Sequence, residues 1–305
     1  MATATETVRI RRPRAESLGG ARIREALWGY GFVLVPMGVF LLFFIYPFAY
    51  AIYISFFNWG ILGKQSGNGL HNYGSVVHDE IFRRAIKNTL LYTAVVVPLE
   101  MALGLSMALV VNAGIRGRAF FRSAFYFPAI ASSVAITTIA IYLLNSDGLI
   151  NHIVGGHRSW FGDPSTALWS IVGLNAWTTA GTIMLFYLAT LQTIPTDVYE
   201  AAAVDGTSSW RTFRRITFPL LKPGHFFVLV IFGIGALKVF DQAFLVSGGQ
   251  GGPAYSTMTA VLYIYWKAFH SFTFGIAAAA GVILFAIIFG LTLIARVTVG
   301  RQEAA

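Results

Sequence analysis

The sequence predicts an all-α membrane protein with six transmembrane helices. Of its 305 residues, 56% are hydrophobic and 11% are charged, and the mean hydropathy is +0.66, whereas soluble domains carry about 25% charged residues. The apolar residues gather in six long runs, and crossing a bilayer takes roughly 20 residues. Cysteine is absent, which excludes a disulfide framework, a thiolate metal site and a cysteine nucleophile.

The N-terminal part of the chain combines a basic head with a long first span. Residues 1–27 are polar and arginine-rich and are predicted to form a cytoplasmic arm. The first span, residues 28–57, contains Pro36 and Pro47. We expect a kink or a break near Pro47, because proline frees a backbone carbonyl that the helix cannot pair.

The second span carries a buried acid. A Gly- and Asn-rich connection ends in a short amphipathic segment, residues 80–87, and the span follows at 88–111 with Glu100 inside it. An intramembrane carboxylate is a functional-site candidate. We favour a structural role for Glu100, facing the helix bundle or a wet cavity, because the sequence names no partner for it.

A stripe of neutral polar residues marks the fourth span. The third span covers residues 119–144 with Pro128 inside, and the fourth covers 167–191. Polar side chains within the fourth span recur at helical spacing and share one face: Asn175, Thr178, Thr179 and Thr182. Neutral donors and acceptors suit a hydroxyl-rich cargo, with Trp177 as a nearby stacking face. Hydrogen bonding between helices is an equal alternative.

The loop at residues 197–223 is polar and basic, yet it lies between two apolar runs. It opens with helix formers, breaks at Gly206, resumes with aromatic residues at helical spacing and ends at Pro219. This pattern predicts a short helical hairpin across the membrane surface. Glycine at position 206 permits the positive φ that reverses the chain.

The last two predicted spans cover residues 224–246 and 274–296. Lys238 and Asp241, three residues apart, are predicted to share a helical face and to pair with each other or with another helix. A structural pair is slightly favoured over a place at the outer end of a path. The remaining candidates for that path are Gly235, Ala236 and Val239. An aromatic segment before the last span, around Tyr263 to Phe269, suits a membrane interface.

The distribution of basic residues predicts the orientation. Most lie in the N-terminal arm, in the loop at 112–122, in the 197–223 loop and in the C-terminal tail, residues 298–305. The positive-inside rule therefore places both termini and the 197–223 loop in the cytoplasm. Arg83, Arg84 and Lys87 run against this rule, and we interpret them as part of an external amphipathic helix.

Several function classes are excluded by missing motifs. The sequence contains no phosphate-binding Gly-x-x-x-x-Gly-Lys-Ser/Thr, no Gly-x-Ser-x-Gly elbow and no His-x-x-x-His pair. We therefore expect no enzyme activity, no metal site and no cofactor on this chain. We attribute the net charge of +9 to the basic residues that orient the chain in the membrane, so no nucleic-acid partner is expected.

One motif carries a family resemblance. The residues Glu200, Ala201, Ala202, Asp205, Gly206 and Pro219 resemble the EAA loop of membrane subunits from binding-protein-dependent ABC importers. The chain as a whole resembles the maltose-permease-like, or glycerol-3-phosphate-permease-like, carbohydrate group. It departs from that pattern at Phe218, where leucine is usual, and at Thr207, where alanine is usual.

The resemblance implies a type I ABC importer permease fold and a set of partners. These are a second homologous permease, an ATPase dimer that binds ATP and Mg²⁺, and an extracytoplasmic solute-binding protein, assembled in the lipid of a bacterial plasma membrane. The EAA loop would be the coupling helix, and the region before it would contribute to a sugar site. Two alternatives stay open. One is an ABC permease for an amino acid, phosphate or peptide. The other is an ion-coupled secondary transporter, which the scarcity of intramembrane acids, Glu100 and Asp241, argues against.

Overall fold

The computed structural model describes residues 18–113 and 116–298. The chain divides between Ala51 and Ile52 into an N-terminal unit and a larger unit. The predicted basic arm lies mostly outside the described residues, as does nearly all of the predicted C-terminal tail. The helices of the described residues are α1 (Leu18–Phe40), α2 (Tyr46–Ser55), α3 (His71–His78), α4 (Glu80–Asn112), α5 (Arg118–Ile130), α6 (Ser133–Leu143), α7 (Leu149–Val154), α8 (Ala167–Leu191), α9 (Thr196–Val204), α10 (Ser209–Thr212), α11 (Phe218–Leu220), α12 (Lys222–Leu237), α13 (Asp241–Ser247), α14 (Ala260–Tyr265) and α15 (Phe274–Thr298).

The N-terminal unit is helical from Leu18, well before the predicted start of the first span at residue 28. Between α1 and α2 the chain widens into a π-helical turn, Leu41–Ile45, directly before Pro47. The expected irregularity near Pro47 is therefore a π turn and not a break. A wider turn relieves the clash between the proline ring and the carbonyl four residues earlier.

The Gly- and Asn-rich connection forms a short β-hairpin beside the predicted helices. Strands β1 (Phe57–Gly60) and β2 (Gly63–Gly67) pair antiparallel, with a bulge at Asn58 and Trp59. The side chain of Asn72, 3% exposed, ties the hairpin to α3. Its Nδ2 donates to the carbonyls of Ser55 and Phe57, each at 2.9 Å.

Helices α4 and α8 form the centre of the larger unit. The predicted separate segment at residues 80–87 is the start of α4, a single helix of 33 residues whose N-cap is Asp79. Helix α8 covers the predicted range. The two helices approach closely at Gly104, where an added Cβ would fall on the side chain of Ile183. Small residues permit this approach between membrane helices.

One predicted span is sharply bent and another is interrupted. Helices α5 and α6 meet at an angle of 90°, with Ala131 in an extended conformation between them. Helices α12 and α13 are separated by residues 238–240, so Lys238 lies in the interruption and Asp241 begins α13. Proline accounts for part of the first bend, since Pro128 cannot donate the hydrogen bond that would hold the end of α5.

Five helices in the described part of the chain are long and apolar enough to cross a membrane, and counting the bent α5–α6 pair as one span gives six. The predicted aromatic interface segment is α14 followed by a π turn, Trp266–His270. Tyr263 within it is fully buried, and its hydroxyl donates to Asp79 Oδ2 at 2.7 Å. This residue therefore belongs to the core and not to an interface belt.

Candidate substrate path and coupling loop

A polar cavity of about 180 Å³ lies inside the bend between α5 and α6, against one face of α8. The four polar residues of α8 all line it, as their spacing predicts. Ser133 and Thr137 of α6 face them, and Gln242 of α13 completes the wall. The lining is Pro128, Ala129, Ala131, Ser133, Ile136, Thr137, Leu174, Asn175, Thr178, Thr179, Thr182 and Gln242.

Asn175 is the centre of a hydrogen-bond network that joins four helices. Its Nδ2 donates to the hydroxyl of Tyr92 on α4. Its Oδ1 accepts from Gln242 Nε2 at 3.2 Å, and the same amide nitrogen donates to Ser133 Oγ at 3.2 Å. Because Tyr92 is fully buried and buried polar groups need partners, this network fixes the position of both helix breaks relative to α8.

The cavity exists because the backbone is irregular at this depth. Gly181 lets α5 lie directly against α8, since an added Cβ would collide with the carbonyl oxygen of Phe125. Ser133 and Gln242 stand in the first turns of the half-helices α6 and α13. Non-helical backbone inside a membrane is tolerated where it is covered by protein or lines a cavity, and broken helices often mark transport sites.

Glu100 lies behind this wall. It is 2% exposed and has the Thr179 side chain on α8 as a hydrogen-bonding neighbour. The carboxyl group therefore faces the helix bundle, in keeping with the structural role that the sequence favoured. Its partner Thr179 also lines the polar cavity, so Glu100 touches the candidate path through that hydroxyl.

Several predicted path residues lie outside this cavity. Trp177 is 54% exposed and lines a neighbouring apolar groove. Ala236 and Val239 are buried in the hydrophobic core, and Gly235 faces open space.

The predicted pairing of Lys238 with Asp241 is wrong. Helix α12 ends at Leu237, before both residues, and both side chains are exposed. Within residues 18–113 and 116–298 they form no ion pair.

Gln242, Ser133 and Thr137 are the site residues that sequence reasoning missed. Gln242 could have been recognised from the sequence, because an amide side chain within an apolar run must find a hydrogen-bond partner. Ser133 and Thr137 had a weaker signal, because their position opposite α8 depends on the 90° bend within the third predicted span, residues 119–144.

The 197–223 loop forms a compact helical hairpin. Helix α9 ends at a left-handed Gly206, with φ of +63°, which confirms the predicted reversal. The Thr207 N–H donates to the Ala202 carbonyl at 3.1 Å, and the Gly206 N–H donates to the Ala203 carbonyl at 3.1 Å. These two bonds are the Schellman arrangement for ending a helix. The Thr207 hydroxyl adds a third bond to the Ala202 carbonyl at 2.7 Å.

This hairpin exposes much of its motif. Glu200, Ala201 and Asp205 face outward, and Val204 is 88% exposed. Trp210 is 68% exposed, so apolar surface is available for another protein. Ala202 alone among the motif alanines is buried.

The predicted stop at Pro219 is wrong, because the chain stays helical through α11 to Leu220 and turns at Leu221. The helical stretch contains a π turn, Phe213–Thr217, just before the proline, and a wider turn relieves the clash between a proline ring and the preceding turn.

Comparison with known proteins decides the family. Residues 100–302 match the family described as binding-protein-dependent transport system inner membrane component. The chain belongs to this family. It is 34% identical over 245 residues to the lactose transport system permease protein LacF of Rhizobium radiobacter, covering 78% of this chain and 82% of LacF. It is 32% identical over 286 residues to the trehalose/maltose transport system permease protein MalF of Thermococcus litoralis, covering 92% and 96%.

The fold of the family is confirmed by a solved structure. A chain from a bacterial ABC transporter involved in the import of the acidic polysaccharide alginate superposes with a TM-score of 0.81. The identity is 26%, and the match covers 94% of this chain and 99% of that one. The multiple sugar-binding transport system permease protein MsmF of Streptococcus mutans is a further relative, 32% identical over 92% of this chain and 98% of MsmF.

Proposed function

We propose that this chain is a membrane permease subunit of an ATP-driven importer that takes up a sugar or a sugar-like solute. The relatives LacF, MsmF and MalF, whose names all specify sugars, support this substrate class. The observation that carries the proposal is the cavity lined by Asn175, Thr178, Thr182 and Gln242. Uncharged amides and hydroxyls can exchange hydrogen bonds with the hydroxyl groups of a sugar without the desolvation cost of a buried charge.

The proposed mechanism is alternating access driven from the cytoplasm. A solute-binding protein delivers the cargo from outside, and the spans rock so that the cavity opens first to one side and then to the other. A second, homologous permease completes the path. The half-helices α6 and α13 are suited to such a motion, because Gln242 joins α13 to α8 and to α6 by single hydrogen bonds and not by a continuous helix.

The driving force comes from separate ATPase subunits that bind ATP and Mg²⁺. The exposed face of the 197–223 loop, with Glu200, Ala201 and Val204 outward, is the proposed docking surface for them. Buried Ala202 and left-handed Gly206 would keep its shape while the force is applied. This assignment places the loop and both termini in the cytoplasm of a bacterial cell and the chain in its inner membrane.

Reconstitution of the assembled transporter tests this function. In proteoliposomes with the binding protein outside and ATP inside, we expect sugar uptake and ATP hydrolysis stimulated by the loaded binding protein. The variant Glu200→Lys should insert normally and lose that stimulation, whereas Glu25→Lys, an exposed acid of α1, should retain it. Uptake by this chain alone, driven by an ion gradient, would refute the proposal in favour of secondary transport.

A further inference from the structure

A second cleft lies at the N-terminal ends of α4 and α8. It is separate from the polar cavity and from the 197–223 loop, the proposed coupling loop. Its volume is about 670 Å³. Basic residues of α4 form one side, and the start of α8 forms the other. Its lining comprises Glu80, Arg83, Arg84, Lys87, Asn88, Leu91, Pro164, Ser165, Leu168, Trp169 and Ser256.

The cleft has an excess of uncompensated positive charge. Arg83, Arg84 and Lys87 are exposed and form no ion pair with any side chain of residues 18–113 and 116–298. The single carboxylate of the lining, Glu80, lies in the first turn of the same helix. In the proposed topology these cations face the outside of the cell, where the positive-inside rule disfavours them. A ligand bound in the cleft explains these basic residues better than a role in setting the membrane orientation of the chain does.

A buried hydroxyl without a partner lies in the same wall. Ser256 is 8% exposed, and its Oγ has no hydrogen-bond partner in the described part of the chain. Buried polar atoms in native proteins rarely stay unpaired. An oxygen-bearing ligand in the cleft would supply the missing partner.

The backbone beside Ser256 is held in an unusual shape. Ala254 and Tyr255 have φ of +48° and +57°, a left-handed conformation that costs a residue with a side chain about 1 kcal/mol or more. Asn88 of α4 holds this turn, since its Nδ2 donates to the carbonyls of Tyr255 at 2.9 Å and Met258 at 3.0 Å. The hydrogen bonds from Asn88 hold this strained turn in place, and they keep Ser256 next to the basic residues of α4.

We propose that this cleft binds the phosphate headgroup of an anionic phospholipid. Arg83, Arg84 and Lys87 would pair with the phosphate, and the Ser256 hydroxyl would donate to one of its oxygens. Trp169, 46% exposed, and Leu91, 40% exposed, give the cleft an apolar margin beside the basic one. That combination fits a lipid, with a charged head and an apolar body, better than it fits a free phosphate or a carboxylate of a soluble protein.

The test is native mass spectrometry of the assembled transporter, titrated with phosphatidylglycerol or with phosphatidylcholine. The test variant carries Arg83→Gln, Arg84→Gln and Lys87→Gln. The matched control carries Arg116→Gln, Arg118→Gln and Arg122→Gln, which removes the same charge from exposed positions at and just before the start of α5. Each neutralisation in the cleft should weaken phosphatidylglycerol retention roughly five-fold, so the triple variant should lose one bound lipid per copy of this chain. The control should keep it.

Ser256→Ala provides an independent readout, because it changes no charge and removes only the unpaired hydroxyl. It should weaken phosphatidylglycerol binding several-fold and leave phosphatidylcholine binding unchanged. Equal retention of phosphatidylglycerol by the wild type and the triple variant would overturn the proposal. So would displacement of the lipid by inorganic phosphate at equal concentration, which indicates a free-anion site. Weaker capture of the binding protein with unchanged lipid retention would assign the cleft to protein docking instead.

Discussion

The polar cavity and the coupling loop are built in opposite ways. The cavity depends on contacts between residues that are far apart in the chain, since Asn175 bonds to residues 67 and 83 positions away and Gln242 bonds to Ser133 109 positions away. The coupling loop depends on neighbours, because the bonds around Gly206 and Thr207 span at most five residues. A structure closed by local bonds keeps its shape when the surrounding helices move. A structure shared among four helices changes whenever any of them does.

The difference fits the two proposed tasks. A loop that receives force must transmit it without deforming, and local bonds with a fixed glycine reversal achieve that. A cavity that must open alternately to two sides needs walls that can separate, and single hydrogen bonds of about 1 kcal/mol each allow this. Changing one residue in each region tests whether the two regions differ in this way.

The largest effect is expected from Gly206→Val. Valine at a φ of +63° carries a penalty of at least 1–2 kcal/mol, and its branched side chain is especially unfavourable there. Because the surroundings of Gly206 are open, the damage comes from the backbone and not from a clash. We expect normal membrane insertion and complete loss of the ATP hydrolysis stimulated by the loaded binding protein.

Gly206→Asn is the matched control, since asparagine tolerates the left-handed conformation. It should retain most of the stimulated hydrolysis. If the asparagine and valine variants are equally inactive, the requirement is for the absence of a side chain, as in a close approach by the partner. The reversal geometry would then not be the cause.

The predictability of each region follows from the same contrast. The helix, the glycine break and the positive φ of the coupling loop were predicted from Glu200 to Gly206, because the residues that form the bonds are adjacent in the sequence. The predicted stop at Pro219 was wrong, because the helix continues past the proline after the π turn Phe213–Thr217. A proline alone does not show whether the turn before it widens, so its presence did not decide where the helix ends.

An intermediate effect is expected from Asn175→Leu. The substitution leaves the buried Tyr92 hydroxyl without this partner, which costs about 1–3 kcal/mol. It also removes one of the two bonds of Gln242, which keeps its bond to Ser133. We expect the rate of sugar transport to fall about 10- to 100-fold, with ATP hydrolysis in the absence of sugar retained, because the coupling loop is untouched.

Trp177→Leu serves as the control for that experiment. It alters a large side chain only two residues away, but one that faces the apolar groove. Its transport rate should stay within a few-fold of the wild type. An equal loss in both variants would indicate general damage to α8 and would remove support for the cavity as the path.

The cavity itself was only half predictable. Helical spacing placed Asn175, Thr178, Thr179 and Thr182 on one face, because periodicity is a local property. The opposing residues arrive through the 90° bend at 131–132 and the helix interruption at 238–240. Pro128 marked an irregularity near the bend, but the periodicity of an apolar run does not give the direction in which the chain turns. The pairing of Lys238 with Asp241 failed for that reason, since it assumed a continuous helix.

The smallest effect tests a long-range contact at the surface, between the cap of α4 and the segment before α15. Asp79 Oδ2 accepts from Tyr263 at 2.7 Å and pairs with Lys267 at 3.0 Å, while its Oδ1 accepts from the Ile81 N–H at 2.8 Å. Burial alone would raise the pKa of Asp79, but the donors Tyr263, Lys267 and Ile81 outweigh it and hold the pKa below its ordinary value.

A folded-state pKa that is lowered gives a definite sign for the effect of pH. The stabilisation is fully present above the unfolded pKa, near 4, and is lost as the pH falls through the lower folded value. Asp79→Asn keeps a side-chain oxygen for the cap but loses the charge. It should therefore be less stable than the wild type by about 1 kcal/mol at pH 7, and the difference should vanish in acid.

The measurement is thermal unfolding of the assembled transporter at a series of pH values, followed by tryptophan fluorescence. Asp147→Asn, an exposed carboxylate in the loop after α6, controls for the loss of a negative charge and should show no such pH-dependent gap. A gap for Asp79→Asn that persists unchanged below pH 3, where the carboxyl group of the wild type is protonated, would show that the stabilisation does not come from the charge of Asp79. The ion pair with Lys267 would then not be the contact that holds α4 to the segment before α15, and the cap bond within α4, which asparagine keeps, would not account for the gap either.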